Sequence, residues 1–351
     1  MIVALNGATM PRRVAYTSGT AIAYAYRVKR VHRRTAALRL RGVDLSCLGA
    51  PTGPMAQVRG GFANRLYRLD TDLGSFAVKE LNLLDRRETY RAEDVFRFER
   101  AAFAAGIPMP EPILASDHVL VHRWVDGEKM PEEPVPAGYA FEIGGILARL
   151  HALDVAWTAV PIEEPVPRDW PALVERATAT GQPWAGELRS QAETLLAIAR
   201  FVDTCERPGP VVLTHRDIQP WNLLSREGRP VVLDWELSGM LDLAGELGST
   251  ALSLAKGPGF DDVQPAVFRS VLDGYVAEGG TLPPWGPSWF VFIIGGWLGF
   301  TRWNILRCLR GVEPGTGPDL ALSHESVRNG LRGLPVLFGR LPELQEMLMS
   351  R

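Results

Sequence analysis

The chain has 351 residues, 46% of them hydrophobic and 22% charged, which is enough apolar material for two lobes that share a cleft. Its 38 Lys and Arg stand against 40 Asp and Glu, a formal net charge of -2, so no basic excess draws it to nucleic acid or to an anionic membrane. The three cysteines, Cys47, Cys205 and Cys308, fit no metal-ligand spacing and cannot all pair within one chain, which suits a reducing cytosol better than a disulfide framework.

Residues 1–50 hold nine Arg or Lys against one acid, Asp44, and their apolar residues keep no sustained period of 2 or 3.6. They read as a disordered leader, or as a start placed upstream of Met55, and as dispensable. From Gln57 the stretches QVRGGFANRLYRLDTD and GSFAVKELNLL alternate β-branched and aromatic with polar residues about Leu73-Gly74, which predicts an antiparallel hairpin. Over 91–105, Val95, Phe98 and Ala102 recur at helical spacing, and Gly106 with Pro108 ends that helix. ASDHVLVHRW at 115–124 predicts another strand, and Val125-Asp126-Gly127 a turn connecting two lobes.

Beyond that turn the pattern becomes helical. Ile143, Ile146, Leu147 and Leu150 share one face up to His151, and a second helix covers 188–201. Two short apolar strands, 211–214 and 230–233, bracket a polar loop, and the remainder is mostly helical. The longest apolar run, WFVFIIGGWLGF at 289–300, is shorter than the roughly 20 residues of a spanning helix, so it predicts a buried helix with Trp297 and Trp303 in or near the core. The organisation is thus a leader to 50, a small lobe at 51–125 and a large lobe at 126–351.

The chemistry is concentrated in VVLTHRDIQPWNLLSREGRPVVLDWE, residues 211–236. His215, Arg216, Asp217 and Asn222 satisfy H-R-D-x-x-x-x-N, and an apolar strand then delivers Asp234. Phosphoryl transfer needs a carboxylate that orients the attacking hydroxyl and accepts its proton, plus oxygen ligands for the hard cation on the nucleotide phosphates. Asp217 is the candidate base, and Asn222 and Asp234 are the candidate ligands. A lone surface Asp is normally just solvated, but packing gives no reason for three polar residues in this order between two apolar strands.

Only four cations of the chain are lysines, so Lys79 in FAVKE stands out as a compact charge for nucleotide phosphates. Glu99 in RFERAAFAAG is its candidate partner, with Glu88, Glu93 and Asp94 as rivals. His215 and Arg216 read as groups that hold the loop, and His151 as a satisfied core histidine.

Together these motifs resemble the aminoglycoside phosphotransferase and choline kinase-like family, relatives of protein kinases. The likeness runs from about Gln57 to beyond Glu246 and includes GGFANRLYRL, AGIPMPEPIL and LARLH besides HRDIQPWN and LDWE. It implies an α+β, protein-kinase-like two-lobed fold, with a small antiparallel β lobe and a larger, mainly helical lobe. It further implies ATP or GTP between the lobes and Asp217 as base. Magnesium would sit on Asn222 and Asp234, Lys79 would anchor phosphates with support from Glu99, and Gly60 and Gly61 would lie over the phosphates.

The full G-x-G-x-x-G is missing, Trp235-Glu236 stands where protein kinases have Phe-Gly, no A-P-E follows, and Gln219 replaces a usual lysine. Those departures point to the small-molecule branch. An aminoglycoside-like antibiotic is the leading acceptor. A metabolite kinase for choline, a sugar or an amino-acid hydroxyl is the alternative, and a nucleotide-binding scaffold stands behind both. Between Asp126 and Trp170, nine acids face three bases, which is either a solvated surface or a recess for a cationic acceptor. No nucleic acid or membrane partner is expected.

Overall fold

The computed structural model describes residues 38–58, 64–81, 92–130, 134–158, 166–257, 260, 262–311 and 320–349. The first of these form a short hairpin, β1 (Arg39–Leu40) with β2 (Val43–Asp44). Leu45 and Leu48 follow it and are buried against Leu69, Phe76, Val78, Val119 and Val121. Thr71 fixes the segment further by donating to the Leu48 carbonyl at 2.6 Å. Residues 38–50 therefore belong to the small lobe, which corrects their assignment to the leader. Two-residue strands are too short to show a period, yet two buried leucines suffice to dock the segment. Residues 1–37 lie outside the described residues.

The small lobe is built on an antiparallel sheet in the order β3-β4-β5-β7-β6, from β3 (Ala56–Val58), β4 (Arg65–Thr71), β5 (Gly74–Glu80), β6 (Pro112–Ala115) and β7 (Val119–Arg123). The β4–β5 turn falls where expected, with Gly74 at φ 121, a value that L side chains rarely adopt. Helix α1 (Ala92–Ala104) buries Val95, Phe98 and Ala102 at helical spacing, and Gly106 stops it at φ 75.

The large lobe begins with β8 (Glu128–Lys129), α2 (Ala137–His151), α3 (Trp170–Ala179) and α4 (Ala185–Thr204). Then come β9 (Val211–Thr214), β10 (Leu223–Arg226), β11 (Arg229–Val232) and β12 (Gly239–Asp242). Strands β8, β10 and β11 form one small sheet, and β9 pairs with β12 in another. Helices α5 (Leu243–Ala255), α6 (Pro265–Ala277), α7 (Ser288–Arg310), α8 (Leu320–Gly339) and α9 (Leu341–Met349) complete the lobe.

Helices α2 and α6 touch backbone to backbone: a Cβ on Gly144 would lie 1.9 Å from the Val271 carbonyl oxygen, and one on Gly274 1.9 Å from that of Phe141. Helix α7 carries the long apolar run, with Trp289, Phe290, Ile293, Ile294 and Leu298 in the core and Trp297 packed against it. Trp303 is half-buried and stacks on Phe300. Among the described residues, no helix is long and apolar enough to cross a membrane.

The lobes are joined beyond the segment 124–127 that connects them. Thr158 donates to Asp94 at 2.7 Å, Arg97 donates to the Ala156 carbonyl at 2.9 Å, and Phe98 meets the edge of Trp235. Helix α1 is thereby tied to the segment around Asp234.

Candidate active site

Strand β9 delivers its chain into a buried loop that His215 organises. His215 Nε2 meets the Leu233 carbonyl at 2.9 Å, and Nδ1 receives the Asp217 amide at 3.2 Å. Burial lowers its pKa to about 4, so it is neutral at pH 7 with the proton on Nε2, the one tautomer that serves both bonds. This is the loop-holding role expected of it. Arg216 and Asp234 both adopt left-handed backbone at φ 68 and φ 66, a conformation costing on the order of 1–3 kcal/mol for a residue other than glycine.

A buried chain of hydrogen bonds holds the strained Arg216. Tyr275 pairs with His151 Nδ1 at 3.1 Å, His151 Nε2 with Thr214 at 3.0 Å, and Thr214 donates to Glu246 at 3.0 Å. Glu246 also accepts the Arg216 amide at 3.3 Å. His151 is the satisfied core histidine expected. Glu246, on α5, escaped the sequence reading because a single acid on an apolar helix carries no spacing signal. Burial pushes its carboxyl up to about 7.

Asp217 accepts from Gln219 and, at 2.7 Å, from the Asn222 amide, whose nitrogen also reaches the Asp217 carbonyl at 2.9 Å. Burial, and then the Asp234 charge, raise the Asp217 carboxyl to about 7 against the pull of those two amides. Because the Asn222 nitrogen is spent on Asp217, its Oδ1 is the atom left for a cation. It and the Asp234 carboxylate are hard oxygen donors, the type that divalent cations such as magnesium take.

Lys79 reaches from β5 to the large lobe, where its ammonium bonds both Asp234 and Glu236. Burial alone would lower the Lys79 pKa, but the two carboxylates more than offset it and the ammonium is held charged. For Asp234 burial works upward, and the Lys79 charge wins, holding the carboxylate ionised. Glu236 also accepts from Asn64. The sequence reading missed Glu236 as a partner, and its only signal is the second acid of LDWE.

Glu99 is not the partner of Lys79. It is fully buried on α1 and pairs with His122 of β7 at 3.1 Å, while its Oε2 has no hydrogen-bond partner. The ammonium goes to the side that offers two carboxylates instead of one. Among the rivals, Asp94 is taken by Arg97 and Thr158, Glu93 is an exposed partner of Arg97, and Glu88 lies outside the described residues, as do Gly60 and Gly61. Three of the described acids of 126–170 have separate cationic partners: Glu142 pairs with Arg229, Asp169 with Arg302, and Asp126 lies 4.0 Å from Arg68.

A family model described as the phosphotransferase enzyme family (APH) matches residues 55–285. No curated protein matches the sequence at a significant level. Among solved structures, an ethanolamine kinase from Plasmodium vivax superposes with a TM-score of 0.57 at 14% identity, covering 84% of this chain and 83% of that one. A spectinomycin phosphotransferase with ADP and its antibiotic gives 0.58 at 12% identity over 82% and 94%. An amicoumacin kinase with AMP-PNP and Ca2+ gives 0.54 at 14% identity over 81% and 91%. At these identities the superpositions establish the two-lobed kinase fold, and the family match covers both lobes and the HRD loop. The chain belongs to the phosphotransferase enzyme family and is a small-molecule kinase.

Proposed function

We propose that the chain transfers the γ-phosphoryl group of ATP or GTP to a hydroxyl of a small molecule, with Asp217 as base. The observation that carries this reading is the convergence of Asp217 and Asp234, from either side of one β-hairpin, with Lys79 from the opposite lobe. Asp217, aimed by Gln219 and Asn222, positions the acceptor hydroxyl and takes its proton as the oxygen–phosphorus bond forms. The bond from the γ-phosphorus to its bridging oxygen breaks, and nucleoside diphosphate leaves. A carboxyl poised near 7 suits that exchange at neutral pH.

Asn222 Oδ1 and the Asp234 carboxylate would hold magnesium. When bound, the cation supplies positive charge against the phosphates. Lys79 would turn its ammonium to the phosphate oxygens, and Gly60 and Gly61, outside the described residues, are assigned to the phosphates from the sequence alone. A reducing, nucleotide-rich cytosol fits the three free cysteines among the described residues.

We place an aminoglycoside-like antibiotic first among acceptors and an amino alcohol, sugar or amino-acid hydroxyl second. The structural relatives named for ethanolamine, spectinomycin and amicoumacin support an acceptor of small-molecule size. The test is an acceptor panel with magnesium and ATP or GTP, read as the mass gain of one phosphoryl group on the acceptor. Phosphorylation of an aminocyclitol antibiotic supports the first assignment, and phosphorylation of choline or a sugar alone moves it to the second. Failure of every acceptor, with tight nucleotide binding, would leave a scaffold.

A further inference from the structure

Arg41 occupies a hairpin position that ordinarily takes asparagine, aspartate or glycine. It and Gly42 are the two turn residues between β1 and β2, at φ 51 and φ 85, and a long side chain is disfavoured on such left-handed backbone. What the arginine gains there is a contact. Its Nε donates to Glu80, the last residue of β5, which also accepts from Tyr67 at 3.1 Å and lies 3.6 Å from Arg65, its partner across the β4–β5 ladder. The Arg41 side chain is 62% exposed and that of Glu80 only 7%, so the buried carboxylate is the group that depends on the pair.

Glu80 directly follows Lys79, and successive side chains of a strand leave opposite faces of the sheet. Phe76 and Val78 pack with Leu45 and Leu48 on the outer face, and by the same alternation Glu80 lies on that side. Lys79 leaves the other face, toward the large lobe, where its ammonium meets Asp234 and Glu236. Glu80 closes both ladders of β5, opposite Arg65 on one side and Val119 on the other, so Lys79 sits one residue from the end of its strand. Strand ends open more easily than strand centres, and a charged clamp on Glu80 opposes that opening.

We propose that Arg41 and Glu80 are positioning residues for Lys79: the N-terminal hairpin clamps the end of β5 from the outer face and fixes where the ammonium meets nucleotide phosphates. The segment ahead of the sheet then serves nucleotide binding as well as the core. This rests on the reading of Lys79 as the phosphate anchor given above.

The test is calorimetric titration of the full chain with AMP-PNP and magnesium, and with adenosine, which carries no phosphate; GMP-PNP and guanosine replace them if that pair binds more tightly. Arg41→Gln should weaken the triphosphate analogue about fivefold and the nucleoside less than about twofold, and Arg41→Lys, which keeps the charge, should retain most of the affinity. Lys79→Met should itself weaken the analogue, and adding Arg41→Gln to it should cost nothing further, because the group that the clamp positions is gone. Glu80→Gln alters a buried group, so the exposed Arg41 carries the test. Unchanged binding of the analogue in Arg41→Gln, an equal loss for the nucleoside, or a full further loss on the Lys79→Met background would each overturn the clamp. Binding of the analogue unaffected by Lys79→Met would overturn the anchor reading, and the clamp with it.

Discussion

At Asp217, burial and the neighbouring Asp234 favour the protonated carboxyl, and two amide donors favour the carboxylate. Its pKa rises from 3.8 to about 7, so below that pH the group holds a proton and cannot accept another. The expected kcat/KM therefore climbs with pH up to about 7, and a profile flat between pH 5.5 and 8 would contradict the role. Asp217→Ala should lower kcat by roughly 10²-fold or more with little change in nucleotide Kd, which turnover and titration measure separately. Lys79→Met leaves Asp234 and Glu236 facing each other without their cation. Because these groups are only part-buried, a loss of about 1–3 kcal/mol is expected in urea unfolding, below the 3–5 of a fully buried pair. Asp217, Asn222 and Asp234 were legible in the sequence because one loop and one strand fix their spacing. The partner of Lys79 was not, since Glu236 lies 157 positions away and the outcome depends on which lobe brings more negative charge to one ammonium.

Among the elements, α5 matters to the catalytic loop through one side chain. Glu246 holds the Arg216 amide, and its folded pKa of about 7 exceeds its ordinary 4.5. The folded state therefore binds the extra proton, and this group's contribution to stability falls as pH rises from about 4.5 to about 7. Glu246→Gln keeps the accepting oxygen and removes the titration. The variant should be more stable than the parent at pH 8, by at most about 3–4 kcal/mol at roughly 1.4 kcal/mol per pKa unit, with the gain shrinking toward pH 5. A gain equal at both pH values in denaturant melts would exclude the linkage. The helices α1, α2 and α4 were readable because a 3.6-residue stripe persists over several turns. The β1–β2 hairpin was not, because its pairing covers two residues on each side and its anchoring leucines lie just past it.

For the molecule as a whole, the small lobe includes more chain than its sheet. A chain starting at Met55 lacks Leu45 and Leu48, which fill the sheet's buried face. Removing one buried leucine side chain typically costs about 2–5 kcal/mol, so the shortened chain should melt well below the full one. An unchanged melting temperature would show that 38–50 is an appendage. Two lobes and a connection were foreseeable from the change of pattern near Val125, but the strap from Asp94 and Arg97 to Thr158 and Ala156 was not, because it joins a helix to a loop with no shared periodicity. The Lys79 bridge has a consequence for the order in which ligands arrive. A divalent cation alone meets two carboxylates that already share one ammonium, so half their charge is offset, whereas nucleotide phosphates draw that ammonium away and expose Asp234. Each ligand thus prepares the site for the other, and such coupling is reciprocal by thermodynamic necessity. Magnesium alone should hardly shift the melting temperature, and magnesium with AMP-PNP should raise it by more than the sum of the separate shifts; simple additivity would mean that the lysine is no gatekeeper.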